Sequence, residues 1–485
     1  MQNIAALKAL LQRQFRFPEF RVHQELVFRL LLDGKSGLVV MPTGGGKSLF
    51  YQLWSAQEQG LVLVLSPLIA LMQDQVDQAR EFGLRATCLN ATVPRDEKER
   101  RLRSIERGEV QLLFVTPERF RKPDFREVMA KQKISLLAVD EAHCISQWGH
   151  DFRPDYTRLG EIRKFLDDPP TLALTATATP VVQKEILQEL RIADGFLEVD
   201  SIERPELSLN VHDVLGLDEK IRAIVGLKFQ IPGAVLVYGS LISTLHKVAD
   251  ELSRVGLHPL IYHGQMKGPE RKRVLREFQS DPNAFLLATP AFGLGINKAD
   301  LRAVIHLEVP SAIESYFQEV GRAGRDGQPA WGHLLYDPDD AAIQMDFIKW
   351  ANPDAGFVSS VYRLIENNKE RVAQEGANFL RDQMNFYNSR DFRVETSLNL
   401  LERWGCLEPA KNRLGFVAVT PPTTEDLANL KTDQRLNVQN QKLLQMMDWA
   451  RETDSCRMRR IQSYFGQPHE GACGRCDVCL KKPQG

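Results

Sequence analysis

No run of about 18 apolar residues occurs in the 485-residue chain, so the sequence offers no membrane-spanning helix. Neither sign of charge dominates. The 62 Lys and Arg against 63 Asp and Glu leave a formal net charge of -1, which excludes a polycation and restricts any nucleic-acid site to a local groove. Short-period repeats and low-complexity tracts are absent. A hydrophobic content of 43% with 26% charged residues excludes a disordered chain and allows sizeable cores. The amino-terminal MQNIAALKALLQRQF is amphipathic but lacks the apolar run and small-residue cleavage site of a secretion signal. The expected location is the cytoplasm, with nucleoid association in a bacterium. Cysteine is scarce until the end, where Cys456, Cys473, Cys476 and Cys479 crowd together. In a reducing compartment such crowding favours a metal over disulfides. Unpaired structural cysteines are the alternative, and Cys88, Cys144 and Cys406 are expected to be buried or incidental.

What is present is a repeated pattern. Short apolar runs bounded by turn residues occur at Leu38 to Met41, Leu61 to Leu65, Gln111 to Val115, Leu136 to Asp140 and Thr171 to Thr175. A second series follows at Ala234 to Tyr238, Pro259 to Tyr262, Ala284 to Ala288, Ala303 to Leu307 and His333 to Tyr336. Continuous rather than alternating apolarity predicts strands buried on both faces, hence two successive parallel sheets flanked by helices, with ligands at the strands' carboxyl ends. From about Ala341 the period becomes helical, through Val358 to Asn367, Arg371 to Tyr387 and Thr396 to Trp404. Two short strand-like runs, Cys406 to Glu408 and Gly415 to Val419, then flank the polar turn Lys411 to Arg413. Helix followed by hairpin is the outline of a winged helix, although a helical spacer with an incidental hairpin fits equally. The basic clusters Arg95 to Arg103, Arg119 to Arg126 and Arg271 to Arg276 are candidate nucleic-acid contacts or solvated helix faces.

The sequence MPTGGGKS, Met41 to Ser48, follows a strand and opens a helix. Thr43 and the glycines Gly44, Gly45 and Gly46 allow backbone N–H groups to turn toward a β-phosphate. Lys47 would reach the β- and γ-phosphates and Ser48 would ligate Mg²⁺. The usual first glycine of such a loop is Met41 here. A second apolar strand ends in Asp140-Glu141-Ala142-His143, where Asp140 suits a magnesium-held carboxylate and Glu141 a group that polarises the attacking water. The segment QEVGRAGRDG supplies Gln318, Arg322 and Arg325. The two arginines are three residues apart and flanked by glycines, which suits stabilisation of transition-state charge.

With these motifs in one order, the chain resembles the RecQ family of superfamily-two 3′-to-5′ DNA helicases, over about Phe15 to Pro338 and again from Cys456. The most specific element is HCISQWGHDFRPDY, His143 to Tyr156, which resembles the family's aromatic-rich loop. The resemblance implies two tandem RecA-like α/β motor domains, at 1–205 (ATP-binding) and 206–340, then a helical and winged-helix-like segment at 341–450 and a zinc module at 451–485. It implies DNA contacts for Trp148, Phe152 and Arg153, where bases can stack and a cation waits. FRFPEFRVHQ resembles the adenine-recognition motif, with Phe17 stacking, Gln24 bonding the base edge and Arg21 assisting. Ser66, Pro67, Thr116 and Pro117 lie in segments resembling strand-backbone contacts. His143, Thr175 and Thr177 fall where the family couples hydrolysis to movement, and ATPAFGLGINKADLR implies nucleotide or strand contacts for Gly293, Gly295 and Asn297. The fourth motif reads Tyr238-Gly239-Ser240-Leu241 without its usual arginine, leaving Ser240 as a cap for the next helix.

CRMRRIQSYFG followed by CGRCDVC resembles the family's zinc module, with Cys456 on a helix and the other three cysteines on a tight loop. More than a hundred residues separate it from the motor, whereas the usual layout places it next to the motor with a winged helix after it. The resemblance implies ATP, Mg²⁺ and Zn²⁺ as cofactors, a monomer away from membranes, and single-stranded, forked or branched DNA as partner. Single-strand-binding protein and repair or recombination factors are further partners it allows. An RNA helicase, a translocase that separates no strands, and a slow-turnover DNA-binding scaffold are the competing readings.

Overall fold

The structure is a computed structural model that describes residues 3–42, 44–90, 93–146, 156, 158–293, 298–384, 391–409, 415–428, 430, 432–468 and 471–481. The chain forms two compact units. The first comprises Met1–Glu308, Glu314–Leu335 and Glu452–Gly485, and the second Val309–Ile313 and Tyr336–Arg451. The zinc segment therefore belongs with the motor sheets despite its distance in sequence.

In the first unit, β1 (Gly37–Val40), β2 (Leu61–Leu65), β3 (Ala86–Leu89), β4 (Leu112–Val115), β5 (Ile134–Val139), β6 (Thr171–Thr175) and β7 (Phe196–Val199) form a sheet in the order β3-β4-β2-β5-β6-β1-β7. Each recorded pair is parallel. One face carries Val39, Val62, Val64, Leu136 and Leu172 against the helices Ile4–Arg13, Val22–Leu32 and Lys47–Ser55. The other carries Leu38, Leu63, Leu113, Leu137 and Ala173 in a second cluster. Apolar side chains on both faces of every central strand are what the unbroken runs in the sequence required.

The second sheet contains β8 (Leu207–Asp213), β9 (Ala234–Tyr238), β10 (Leu260–Tyr262), β11 (Phe285–Ala288), β12 (Leu301–His306) and β13 (Ala330–Tyr336), ordered β10-β11-β9-β12-β13-β8. Val235, Val237, Leu287, Ala303 and Ile305 anchor its core. Strands β3, β7 and β8 were not expected from the sequence. Ser240 does not cap the helix Ile242–Arg254, whose cap position is Leu241 without a side-chain bond. Its amide instead donates to Glu308 at 2.8 Å.

In the second unit the helices Ala341–Ala351 and Thr432–Arg451 pack together, and Asn352 Nδ2, at the end of the first, donates to Gln439 Oε1 within the second at 2.6 Å. Between them lies a separate module of helices Ala355–Asn367, Lys369–Glu375, Ala377–Met384 and Arg393–Arg403, followed by the antiparallel pair β14 (Leu407–Pro409) and β15 (Phe416–Ala418). Its core is Val358, Val361, Ile365, Phe379, Leu398 and Leu401. The single helix expected over 371–387 is divided at Gly376, whose φ of 62° breaks the helical path. This module has the helix-then-hairpin order of a winged helix and is inserted between two helices, which explains the long gap before the zinc cysteines. Its expected tip, Lys411 to Arg413, lies outside the described residues.

Candidate active site and zinc centre

The nucleotide site forms at the carboxyl edge of the first sheet. After β1 the chain turns through Gly44 (φ 83°) and Gly46 (φ 89°), and Gly46 starts the helix Lys47–Ser55. Both dihedrals lie in the left-handed region that glycine adopts at little cost. A Cβ on Gly45 would stand 2.4 Å from Met41 Cγ and 2.9 Å from the Pro42 carbonyl oxygen. Met41 is fully buried and packs beneath the loop, so the unusual residue at the first glycine position is a core residue that in turn requires glycine at 45. Ser48 is half-buried in the first turn of this helix, where N–H groups and the helix dipole favour anions.

Lys47 Nζ donates to the Met41 carbonyl at 3.0 Å. Burial lowers its pKa, while the nearby carboxylates of Glu141 and Asp140 oppose that shift. Asp140 follows β5, two strands from β1, and its amide bonds the Leu65 carbonyl at 2.8 Å. Burial, then the charge of Glu141, pushes the Asp140 carboxyl up to about 7, with Lys47 pulling the other way. Glu141 has a left-handed φ of 48°, uncommon for a non-glycine residue. Its Oε2 is buried, lies 3.3 Å from Nδ1 of His143 and makes no hydrogen bond among the described residues.

Strand β6 runs between β5 and β1 and ends in Thr175. The Thr175 hydroxyl is 2.9 Å from His143 Nδ1 and accepts the Thr177 amide at 3.3 Å, and both threonines are buried. The three residues expected to couple hydrolysis to movement thus form one bonded group beside Glu141.

The opposing charge comes from the second sheet. The helix Ile313–Val320, which carries the half-buried Gln318, ends in a turn holding Arg322 and Arg325. The Arg325 side chain lies over the phosphate loop, with its Cγ 3.8 Å from the Cβ position of Gly44. Burial, then the charges of Arg322 and Arg204, draws the Arg325 guanidinium down to about 10. A phosphate entering here would meet a preformed concentration of positive charge.

In the same unit the Sγ atoms of Cys456, Cys473, Cys476 and Cys479 all lie within 4.8 Å of one another. Tetrahedral zinc with Zn–S bonds of about 2.3 Å needs edges of about 3.8 Å, so the four thiolates fit that ion. Backbone amides already point at sulfur, from Cys473 to Cys456 at 3.3 Å and from Cys479 to Cys476 at 3.4 Å. Sulfhydryl bonds from Cys473 and Cys476 hold the Cys456 thiol well below its usual range. Cys456 sits at the cap of the helix Arg457–Tyr464 rather than within it, and Cys479 lies on the short helix Asp477–Lys481 rather than on a loop. The buried Arg457 guanidinium grips Asp477 with two bonds of 3.0 Å, and Asp477 also accepts the Val211 amide of β8 at 3.3 Å.

Comparison with known proteins agrees with this geometry. Residues 21–185 match the family described as DEAD/DEAH box helicase, residues 219–327 the helicase conserved C-terminal domain, and residues 423–480 the RecQ zinc-binding family. The probable ATP-dependent DNA helicase RecS of Bacillus subtilis is 32% identical over 475 residues, covering 98% of this chain and 91% of that protein. The chain belongs to the RecQ family of helicases.

Other RecQ-family proteins align over less of the chain. The ATP-dependent DNA helicase RecQ of Haemophilus influenzae is 39% identical over 334 residues, 69% of this chain but 54% of that protein. This chain therefore spans about half the length of such relatives, whereas the RecS alignment also covers the inserted module. Among solved structures, Saccharomyces cerevisiae Dbp5 bound to RNA and ADP BeF3 is 17% identical with a TM-score of 0.56, covering 71% of this chain and 90% of that one. Mycobacterium smegmatis Lhr bound to single-stranded DNA and AMP-PNP gives 18% and 0.56, with coverage of 90% and 62%. These likenesses establish the two-sheet motor fold alone.

The remaining RecQ-motif residues fall as follows. Gln24 is buried, its Oε1 accepts the Arg21 amide at 3.1 Å, and its Nε2 faces the Gly45 carbonyl at 3.5 Å, so the adenine motif adjoins the phosphate loop. Phe17 is 46% exposed. Ser66 and Pro67 follow β2, and Thr116 and Pro117 follow the adjacent β4, which places both segments side by side on the same sheet edge. Thr43, Trp148, Phe152, Arg153, Gly295 and Asn297 lie outside the described residues, and Gly293 ends the short turn Pro290–Gly293. Sequence reasoning missed Arg204, whose guanidinium donates to the carbonyls of Gly321 at 3.0 Å and Ala323 at 2.9 Å. The only signal was a charged residue before Pro205 in the segment joining the two sheets.

Proposed function

We propose that this chain couples ATP hydrolysis to 3′-to-5′ movement along single-stranded DNA and thereby separates duplexes, in DNA repair and recombination. It is an ATP-dependent DNA helicase of the RecQ family. The observation that carries the mechanism is Arg325 from the second sheet lying over Gly44 of the first.

Phe17 and Gln24 hold the adenine, and the amides of 44–48 with Lys47 hold the phosphates. Asp140 and Ser48 are the residues that would hold Mg²⁺, which supplies charge neutralisation on the β- and γ-phosphate oxygens. Glu141 orients the attacking water, and its buried Oε2, 3.3 Å from His143 Nδ1, is the acceptor for that role. Arg322 and Arg325 stabilise charge that grows on the γ-phosphoryl oxygens. Because these groups come from two sheets, hydrolysis and release alter the force holding the sheets together. Ser66 and Thr116 on one sheet edge grip the strand, and the His143, Thr175 and Thr177 group conveys the state of Glu141 toward that edge.

Unwinding of a forked DNA with a 3′ single-stranded tail, beside the matching 5′-tailed DNA and RNA forks, tests the proposal. ATP-dependent separation of the 3′-tailed DNA is expected. Equal action on RNA, or on the 5′-tailed fork alone, would overturn the substrate or the polarity.

A further inference from the structure

Arg204 is 8% exposed and belongs to the segment that joins the two sheets. Its Nε pairs with Glu206, Nη1 donates to the Gly321 carbonyl at 3.0 Å and Nη2 to the Ala323 carbonyl at 2.9 Å. The planar fork of a guanidinium meets all three acceptors together, which an ammonium cannot do. The two carbonyls flank Arg322, and the next residues are Gly324 and Arg325. Gly324 has a φ of 69°, and a Cβ there would stand 2.9 Å from Glu206 Cγ. The turn is therefore seated against the Arg204–Glu206 pair on both its carbonyl side and its glycine side. Arg204 is itself held, because Arg475 of the zinc segment donates to the Arg204 carbonyl at 3.1 Å and the Leu207 carbonyl at 3.2 Å.

A buried cation beside two others is costly unless the arrangement serves a bound anion. Glu206 offsets one charge, and a phosphate beneath Arg325 would offset more. We propose that Arg204 is a positioning residue for ATP hydrolysis: by fixing the Gly321 and Ala323 carbonyls it sets the turn from which Arg325 reaches over the phosphate loop. This rests on the helicase reading above. Arg204 does not touch nucleotide, so its loss acts through Arg325 and leaves nucleotide affinity in place.

The test is steady-state ATP hydrolysis with saturating single-stranded DNA, binding of a fluorescent ATP analogue, and thermal melting of the full chain. Wild type, Arg204→Gln, Arg204→Lys, Arg325→Ala and the Arg204→Gln/Arg325→Ala double variant are compared. A lost angstrom of alignment can cost about a hundredfold. Arg204→Gln is therefore expected to lower kcat by about 10- to 100-fold with analogue Kd within about threefold of wild type, and Arg204→Lys to fall between. In the Arg325→Ala background the Arg204 substitution is expected to add nothing. An unchanged kcat, an equal further loss in the double variant, or a loss confined to KM would overturn the proposal. Should Arg204→Gln melt below the assay temperature, Arg204→Lys and Glu206→Gln decide it, since unchanged kcat in both would refute it. Wild-type protein without DNA-stimulated turnover would instead refute the helicase reading.

Discussion

His143 Nδ1 lies 2.9 Å from the Thr175 hydroxyl, joining the loop after β5 to the end of β6 in the heart of the first sheet. Both side chains are buried, and Glu141 Oε2 stands 3.3 Å from the same nitrogen. Thr175→Val keeps the shape and removes the hydroxyl that bonds His143 Nδ1, a hydrogen bond worth about 0.5–1.5 kcal/mol. ATP turnover without DNA is expected to stay within a few-fold of wild type, while stimulation by single-stranded DNA falls by about tenfold or more. Paired hydrolysis assays with and without DNA check this, and undiminished stimulation would remove Thr175 from the coupling role.

The zinc segment ties itself to β8 through Asp477, which Arg457 holds with two bonds inside the fold. Asp477→Ala removes the carboxylate that pairs with the buried Arg457 guanidinium, and breaking such a buried pair costs up to about 3–5 kcal/mol. Melting is expected to shift down by several degrees, and zinc content measured by a chromogenic chelator is expected to drop at a lower chelator concentration. A variant that melts with wild type would show that this pair is not a tie.

Acid sensitivity is set in part by the stacked pair His212 and His333, whose ring nitrogens approach to 2.9 Å. Burial, then the charge of His212, depresses His333 to about 3, and burial lowers His212 too. A depressed folded pKa stabilises fully above the unfolded value of about 6.5, and that contribution is lost as pH falls toward the folded value. For His333 the loss between about pH 7.5 and 5.5 is about 1.4 kcal/mol. His333→Asn is expected to flatten the decline in stability over that window by a comparable amount, as read by denaturant melts at both pH values.

Much of this architecture was legible from residue pattern. The central strands are continuous apolar runs because both their faces are covered, and the phosphate loop and Asp140-Glu141 stand where such strands must end. The strands that escaped notice are sheet edges. Phe196–Val199 and Leu207–Asp213 are partly exposed and carry polar residues, so their apolarity is diluted, while Ala86–Leu89 is short and includes Thr87 and Cys88. Arg204 escaped because its task is to hold two carbonyls, and backbone acceptors leave no mark in a sequence. The place of the zinc cysteines was hidden for a related reason: an inserted module lengthens the chain without moving the two helices that flank it.

The most direct measurement is the steady-state rate of ATP hydrolysis by the purified chain, titrated with single-stranded DNA, beside the same titration of Lys47→Ala and Arg325→Ala. Wild-type turnover is expected to rise by about tenfold or more toward the range of about 1–1000 per second of ordinary enzymes. Lys47→Ala is expected to lose hydrolysis while still binding the strand, and Arg325→Ala to keep nucleotide while losing about a thousandfold in rate. A wild-type rate indifferent to DNA, or Lys47→Ala hydrolysing at the wild-type rate, would contradict the assignment of this site as the motor's engine.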